Sequence, residues 1–112
     1  MATPNQRKGD GFERELAQYL RSHDLPIVRQ RKGGTADTGD FILGPILVEA
    51  KAMGDVVSGI RMALDQAERA TQRFPGFIPA GFVKRPGYGV ENALFVMRVR
   101  ELPRLWLHMR ES

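Results

Sequence analysis

The stretch Gly39 to Lys51 reads GDFILGPILVEAK: two apolar runs meet at Gly44-Pro45, an acid opens the first, and Glu-Ala-Lys closes the second. A two-residue turn centred on Gly44-Pro45 makes a hairpin in which Leu43 faces Ile46, Phe41 faces Val48 and Asp40 faces Glu49. Directly opposed residues of antiparallel strands have Cβ atoms about 5 Å apart on one side of the sheet. Two carboxylates so placed repel unless one is protonated or a cation sits between them, and hard divalent cations prefer oxygen ligands. Side-chain alternation puts Lys51 on the face of Glu49 and turns Val48 and Ala50 toward the core.

A carboxylate pair of this kind can hold Mg²⁺ or Mn²⁺, which lowers the pKa of a bound water and neutralises charge on a phosphodiester. A neighbouring lysine can orient the nucleophile or stabilise a phosphorane. The same D-x(8)-E-x-K spacing also fits an ordinary solvated sheet face whose charges Lys51 relieves, and the spacing alone is common. A loop of odd length would move Asp40 away from Glu49, so the turn decides the matter. Asp37 competes for the metal-ligand role from the loop before Asp40, with a less determined orientation.

Outward from the hairpin, Phe12, Leu16, Tyr19 and Leu20 fall at helical spacing between Gly11 and Ser22, with Asp10 as the expected cap and Pro26 beyond the end. Residues 1–8 read as a flexible, basic arm. Ile27 to Arg31 alternates as a strand, with Val28 on one side and Arg29 and Arg31 on the other, and Lys32 to Gly39 is a glycine-rich loop. Gly54 breaks the strand pattern within residues 53–58. A second helix follows, lined by Ile60, Ala63, Leu64, Ala67, Ala70, Thr71 and Phe74; its alanines allow close approach to a sheet, and Pro75-Gly76 ends it. Pro79 to Lys84 and Ala93 to Val99 read as strands around the loop RPGYGVEN. Leu102, Leu105, Trp106 and Met109 predict a terminal helix with Pro103 in its first turn. The expected architecture is α/β (α+β) in the order α-β-β-β-α-β-β-α, a mixed central sheet flanked by helices.

A chain of 112 residues fits one domain spanning 1–112. Seventeen Lys and Arg against thirteen Asp and Glu give a net charge of +4, which suits a polyanionic partner. The absence of cysteine excludes disulfides, zinc-thiolate sites and thiol nucleophiles. No signal peptide or membrane span is expected, and an intracellular, cytoplasmic location follows from that reading.

In KGDGFERELAQYLR (Lys8 to Arg21), IVRQR, RKGGTADTGDFIL (Arg31 to Leu43) and LVEAK (Leu47 to Lys51), the chain resembles the PD-(D/E)xK nuclease superfamily. It is most similar to the small archaeal-type Holliday-junction resolvases and their phage-encoded relatives. The likeness covers about the first two-thirds of the chain. It implies a restriction-endonuclease-like core and a Mg²⁺-dependent endodeoxyribonuclease, with Mn²⁺ able to substitute, acting on branched DNA in recombination and repair as a homodimer. A phage-encoded enzyme of this kind acts in the host cytoplasm. Asp40, Glu49 and Lys51 match the motif's core, with Asp40 and Glu49 as metal ligands. Glu13 becomes a third metal-site carboxylate or an indirect supporter, and Gln66 of DQAER matches the second-helix glutamine found in many members. Gly39 stands where the motif's name has proline.

Read without the family, Glu13 lies about 20° from Leu20 around the helix, at the edge of the apolar stripe, where a solvated acid paired with Lys or Arg is the ordinary occupant. Arg7, Lys8, Arg29, Arg31 and Lys32 cluster along the sequence near the proposed site as sequence-independent phosphate contacts or as a solvated basic surface. Lys84 and Arg85 offer a second patch, with Tyr88 able to stack on a sugar or base. His23, His108 and Trp106 belong to packing or surface. Two other functions compete: a nuclease of the same chemistry acting on linear duplex, flap or single-stranded DNA, and a nucleic-acid-binding module without turnover. The presence of all four charged positions argues against the second.

Overall fold

The hairpin at Gly44-Pro45 forms as its residues dictate. Gly44 has φ of +57°, and the Pro45 ring holds the next φ negative, the sign combination of a type II′ turn whose twist matches antiparallel strands. The computed structural model describes residues 4–30 and 39–111, with side chains described from Gly9 onward. The elements are α1 (Pro4–Ser22), β1 (Ile27–Arg29), β2 (Phe41–Leu43), β3 (Ile46–Lys51), α2 (Val56–Arg73), β4 (Ile78–Val83), β5 (Leu94–Val96) and α3 (Leu102–Arg110), with 3₁₀ turns at Val90–Asn92 and Val99–Glu101. The helix and strand order is the one expected from the sequence.

The five strands form a single mixed sheet in sequence order, β1-β2-β3-β4-β5. Only β3 and β4 run parallel; the other neighbours are antiparallel. Parallel neighbours need a crossover, and α2 supplies it. The residues on the two faces of β3 show the layers: Val48 and Ala50 pack with Phe12, Leu16 and Ala17 of α1, whereas Leu47 packs with Ala67 and Ala70 of α2. By the same alternation Glu49 and Lys51 lie on the α2 face.

The small residues of α2 let it lie close to the sheet, as expected of Ala63, Ala67 and Ala70, all fully buried. A Cβ built on Gly81 would stand 2.7 Å from the Ala63 Cβ and 3.1 Å from Val96 Cγ2, and one on Gly59 would stand 3.0 Å from Val83 Cγ1. Gly81 is the register partner of Glu49, so this close contact of helix with sheet lies beside that acid. Asp55 starts the helix by accepting from Val57 N–H at 3.2 Å and from the Ser58 hydroxyl at 2.6 Å, which holds its carboxyl below the ordinary value.

The C-terminal segment is tied to the outer side of α2 by charge. Arg98 grips both carboxylate oxygens of Glu68, at 2.8 and 3.0 Å, and reaches Asp65 at 3.3 Å, while Arg100 also donates to Glu68. The Arg98 hydrogen bond, the largest influence, holds the Glu68 carboxyl below its ordinary value.

Several boundaries differ from those read in the sequence. The helix begins at Pro4, so residues 4–8 are helical rather than a flexible arm, and Asp10 lies inside α1 rather than capping it. Proline suits a first helical turn because that turn leaves its N–H groups unbonded anyway, and the helix then tolerates Gly9 and Gly11 at a cost of about 1 kcal/mol each. The first strand stops at Arg29, and β5 covers only Leu94–Val96, because Val99 enters a 3₁₀ turn leading into α3. Pro103 sits in the first turn of α3 as expected.

Replacing Gly81 by Val tests the close helix–sheet contact. Two rigid neighbours must move, so the variant is expected to lose about 1–3 kcal/mol of unfolding free energy in a urea titration. A variant as stable as the parent would show that the layers separate freely.

Candidate active site at the open end of the hairpin

The ladder between β2 and β3 follows the expected register: Leu43 pairs with Ile46, Ile42 with Leu47 and Phe41 with Val48. Beyond Phe41 it changes. Asp40 N–H donates to Val48 O at 3.0 Å instead of continuing a plain cross-strand pair with Glu49. Its carboxylate turns to β3, where Oδ2 accepts the Ala50 N–H at 2.8 Å. A β-ladder that stops leaves the next N–H of the longer strand without a carbonyl, and the Asp40 side chain fills that place. That N–H belongs to the peptide joining Glu49 to Ala50, so the Asp40 carboxylate lies against the backbone that follows Glu49, through a side-chain hydrogen bond rather than simple opposition.

The backbone before Asp40 requires glycine. Gly39 has φ of +80°, and a Cβ there would lie 2.5 Å from Leu47 Cδ2. Proline, fixed near −65°, cannot adopt this conformation.

Asp40 and Glu49 are 3% and 7% exposed, and Glu13 is 3% exposed. Burial of carboxylates is costly unless charge or hydrogen bonds compensate. For Glu13 a compensating partner is Arg29, whose Nε is 3.8 Å from Oε1. Arg29 pairs with Phe41 in the sheet, and the next residue, Gln30, donates its N–H to Asp40 O at 2.8 Å. The Glu13–Arg29 pair therefore stands beside the start of β2, approached from the α1 layer, while Glu49 and Lys51 occupy the opposite face.

Among the described residues, no group of three or more His, Cys, Asp or Glu side chains is gathered to hold a metal ion. Asp40 and Glu49 remain a chemically suitable pair. Both offer hard oxygen donors, and Mg²⁺ is commonly held by one or two protein carboxylates with water and substrate phosphate completing its shell. Lys51 is half-buried at the end of β3, its Cβ 4.0 Å from the position a Gly59 Cβ would take, and its carbonyl accepts Lys84 N–H at 2.9 Å. Gln66 is half-buried on α2, three residues after Ala63.

Arg31, Lys32 and the competing ligand Asp37 lie outside the described residues, and Arg7 and Lys8 lie in α1 without described side chains. From the sequence, Glu13 is a metal-site carboxylate, its indirect supporter or a surface acid paired with Lys or Arg, and Arg29 a phosphate contact or a solvated base; the structure pairs the two with each other. The signal was present: Ile27 is apolar and shares a strand face with Arg29, so burying Ile27 against α1 brings Arg29 to that helix. Among the described residues no helix is long and apolar enough to cross a membrane. No family model, no curated protein and no solved structure matches this chain.

Two substitutions separate the structural part of Asp40 from its charge. Asp40→Ala orphans the Ala50 N–H and is expected to destabilise the fold by about 1–3 kcal/mol, whereas Asp40→Asn retains a side-chain acceptor and should lose clearly less. Equal loss in denaturant titrations would contradict the hydrogen-bonded arrangement.

Proposed function

We propose that this chain is a metal-dependent DNA endonuclease with a restriction-endonuclease-like core, resolving branched DNA such as Holliday junctions by phosphodiester hydrolysis. The observation that carries this reading is the 2.8 Å bond from Ala50 N–H to Asp40 Oδ2, which sets one buried carboxylate against the peptide that follows another. Asp40 and Glu49 would hold the ion, Mg²⁺ with Mn²⁺ as substitute, and the ion when bound acidifies water and neutralises phosphate charge.

The chain's own groups do the rest. The Lys51 ammonium orients the attacking water and stabilises negative charge growing on the phosphoryl oxygens. As the water oxygen bonds to phosphorus it gives up a proton to solvent, the P–O bond to the leaving nucleotide breaks, and the departing oxygen takes up a proton from solvent. Glu13 acts through Arg29, holding its guanidinium beside the start of β2 for a phosphate of the DNA backbone. Gln66, on α2, contributes an amide to the face that carries Glu49 and Lys51. Two symmetric nicks across a junction take two sites, so the working form is a homodimer; the exposed Leu102, Trp106 and Met109 of α3 supply an apolar surface for it. Nucleases of this kind serve DNA recombination and repair.

The test offers purified protein a four-way junction, a flap, a single strand and a linear duplex, each with Mg²⁺ or with chelator. Junction cutting is expected only with Mg²⁺, and Asp40→Asn, Glu49→Gln and Lys51→Ala should each lower the rate by about 100-fold or more. Equal cutting of linear duplex would overturn the preference for branched DNA. Full metal-dependent activity in Asp40→Asn or Glu49→Gln would overturn the site.

A further inference from the structure

The parallel strands β3 and β4 end side by side. Lys51 is paired with Val83, and the ladder continues one step further through the Lys84 N–H bond to Lys51 O at 2.9 Å. The chain leaving β4 therefore starts its loop beside the proposed catalytic lysine, at the carboxyl ends of two parallel strands.

That loop is built to fix two side chains. Arg85-Pro86-Gly87-Tyr88 closes with Tyr88 N–H donating to Arg85 O at 3.1 Å, and Gly87 has φ of +83°. Proline second and a positive-φ glycine third are the requirements of a type II turn, so the sequence itself specifies this geometry. Across the turn the Arg85 guanidinium carbon lies 4.0 Å from the centroid of the Tyr88 ring. A guanidinium held over a ring by its π-system can still offer N–H donors to a phosphate. Arg85 is half-buried, while Tyr88 is 52% exposed. The turn thus holds together a cation with donors suited to a phosphate and an aromatic ring that remains widely open to solvent.

We infer that the Arg85–Tyr88 turn is a nucleotide-binding platform beside the scissile phosphate: Tyr88 stacks on an unpaired base and Arg85 takes the adjoining phosphate. An aromatic ring stacks on any base because every base has a π-face, but a base locked inside a duplex presents only its edge. The turn therefore selects DNA whose bases are exposed, at a branch point, a gap or a single strand, without reading sequence. This inference rests on the phosphodiester-cleaving reading of the neighbouring site and adds to it a preference for branched DNA that carries unpaired bases.

The test measures fluorescence anisotropy of labelled oligonucleotides in chelator, so that binding is read without cleavage. The probes are a single strand, a four-way junction with unpaired bases at its centre, and a fully paired duplex. Tyr88→Ala is expected to weaken binding to the first two by about tenfold or more and to leave duplex binding nearly unchanged. Tyr88→Phe, which keeps the ring, should behave as the parent. Arg85→Ala should weaken all three and reduce the dependence on salt by about one phosphate contact. Unchanged melting temperatures of these surface variants exclude misfolding. If Tyr88→Ala binds single strand and junction as the parent does, the platform is overturned while cleavage by the parent protein leaves the nuclease reading standing. If the parent binds none of the probes and cuts none with Mg²⁺, both fall together.

Discussion

The hydrogen bond between the Asp40 carboxylate and the Ala50 N–H joins the chemistry of this protein to its fold. Asp40 is the last residue before β2 begins, and the ladder leaves β3 with a backbone donor that no strand carbonyl reaches. The carboxylate closes that gap, and in doing so fixes its own position against the Glu49–Ala50 peptide. A buried acid here thus serves the sheet's need to satisfy its backbone. Gly39 makes the bend, Gly44 and Pro45 set the register, and Leu47 packs so closely against Gly39 that the approach to Asp40 admits no side chain.

Around this point the layers divide the work. α2, lying tightly over the sheet through Gly59, Ala63 and Ala67, covers the face that carries Glu49 and Lys51. α1 covers the other face, and from it Glu13 meets Arg29 at the edge of the hairpin. The carboxyl ends of β3 and β4 lie side by side, and the hydrogen-bonded turn from Arg85 to Tyr88 follows β4 there. The Glu68–Arg98–Arg100 cluster ties the segment following β5 back to α2 on the side away from the sheet, and so steadies the helix without entering the site.

Much of this was legible in the sequence because it rests on local rules. A Gly-Pro turn between alternating apolar runs fixes the pairing of Phe41 with Val48, and alanines at helical spacing announce a helix that sits close to a sheet. What was not legible depended on where strands stop. Strict extension of the register sets Asp40 opposite Glu49, yet the positive φ of Gly39 redirects the chain, and the acid reaches β3 by its side chain instead. The helical course of residues 4–8 was hidden by their polarity and by Gly9 and Gly11, which weaken the helical pattern. The ion pairs were hidden for a different reason: Glu13 with Arg29, and Glu68 with Arg98, are far apart in sequence, and only the packing of α1 and α2 against the strands selects those partners among many charges.

Metal-dependent chemistry at this site requires that Asp40 and Glu49 act as one cation site. A calorimetric titration of the folded protein with Mn²⁺, without DNA, tests this directly in the parent chain and in Glu49→Gln. One ion bound per chain in the parent, weakened about tenfold or more in Glu49→Gln at unchanged secondary structure, is the result predicted from two carboxylates sharing a ligand. The same stoichiometry and affinity in both proteins, or no binding to the parent, would contradict it.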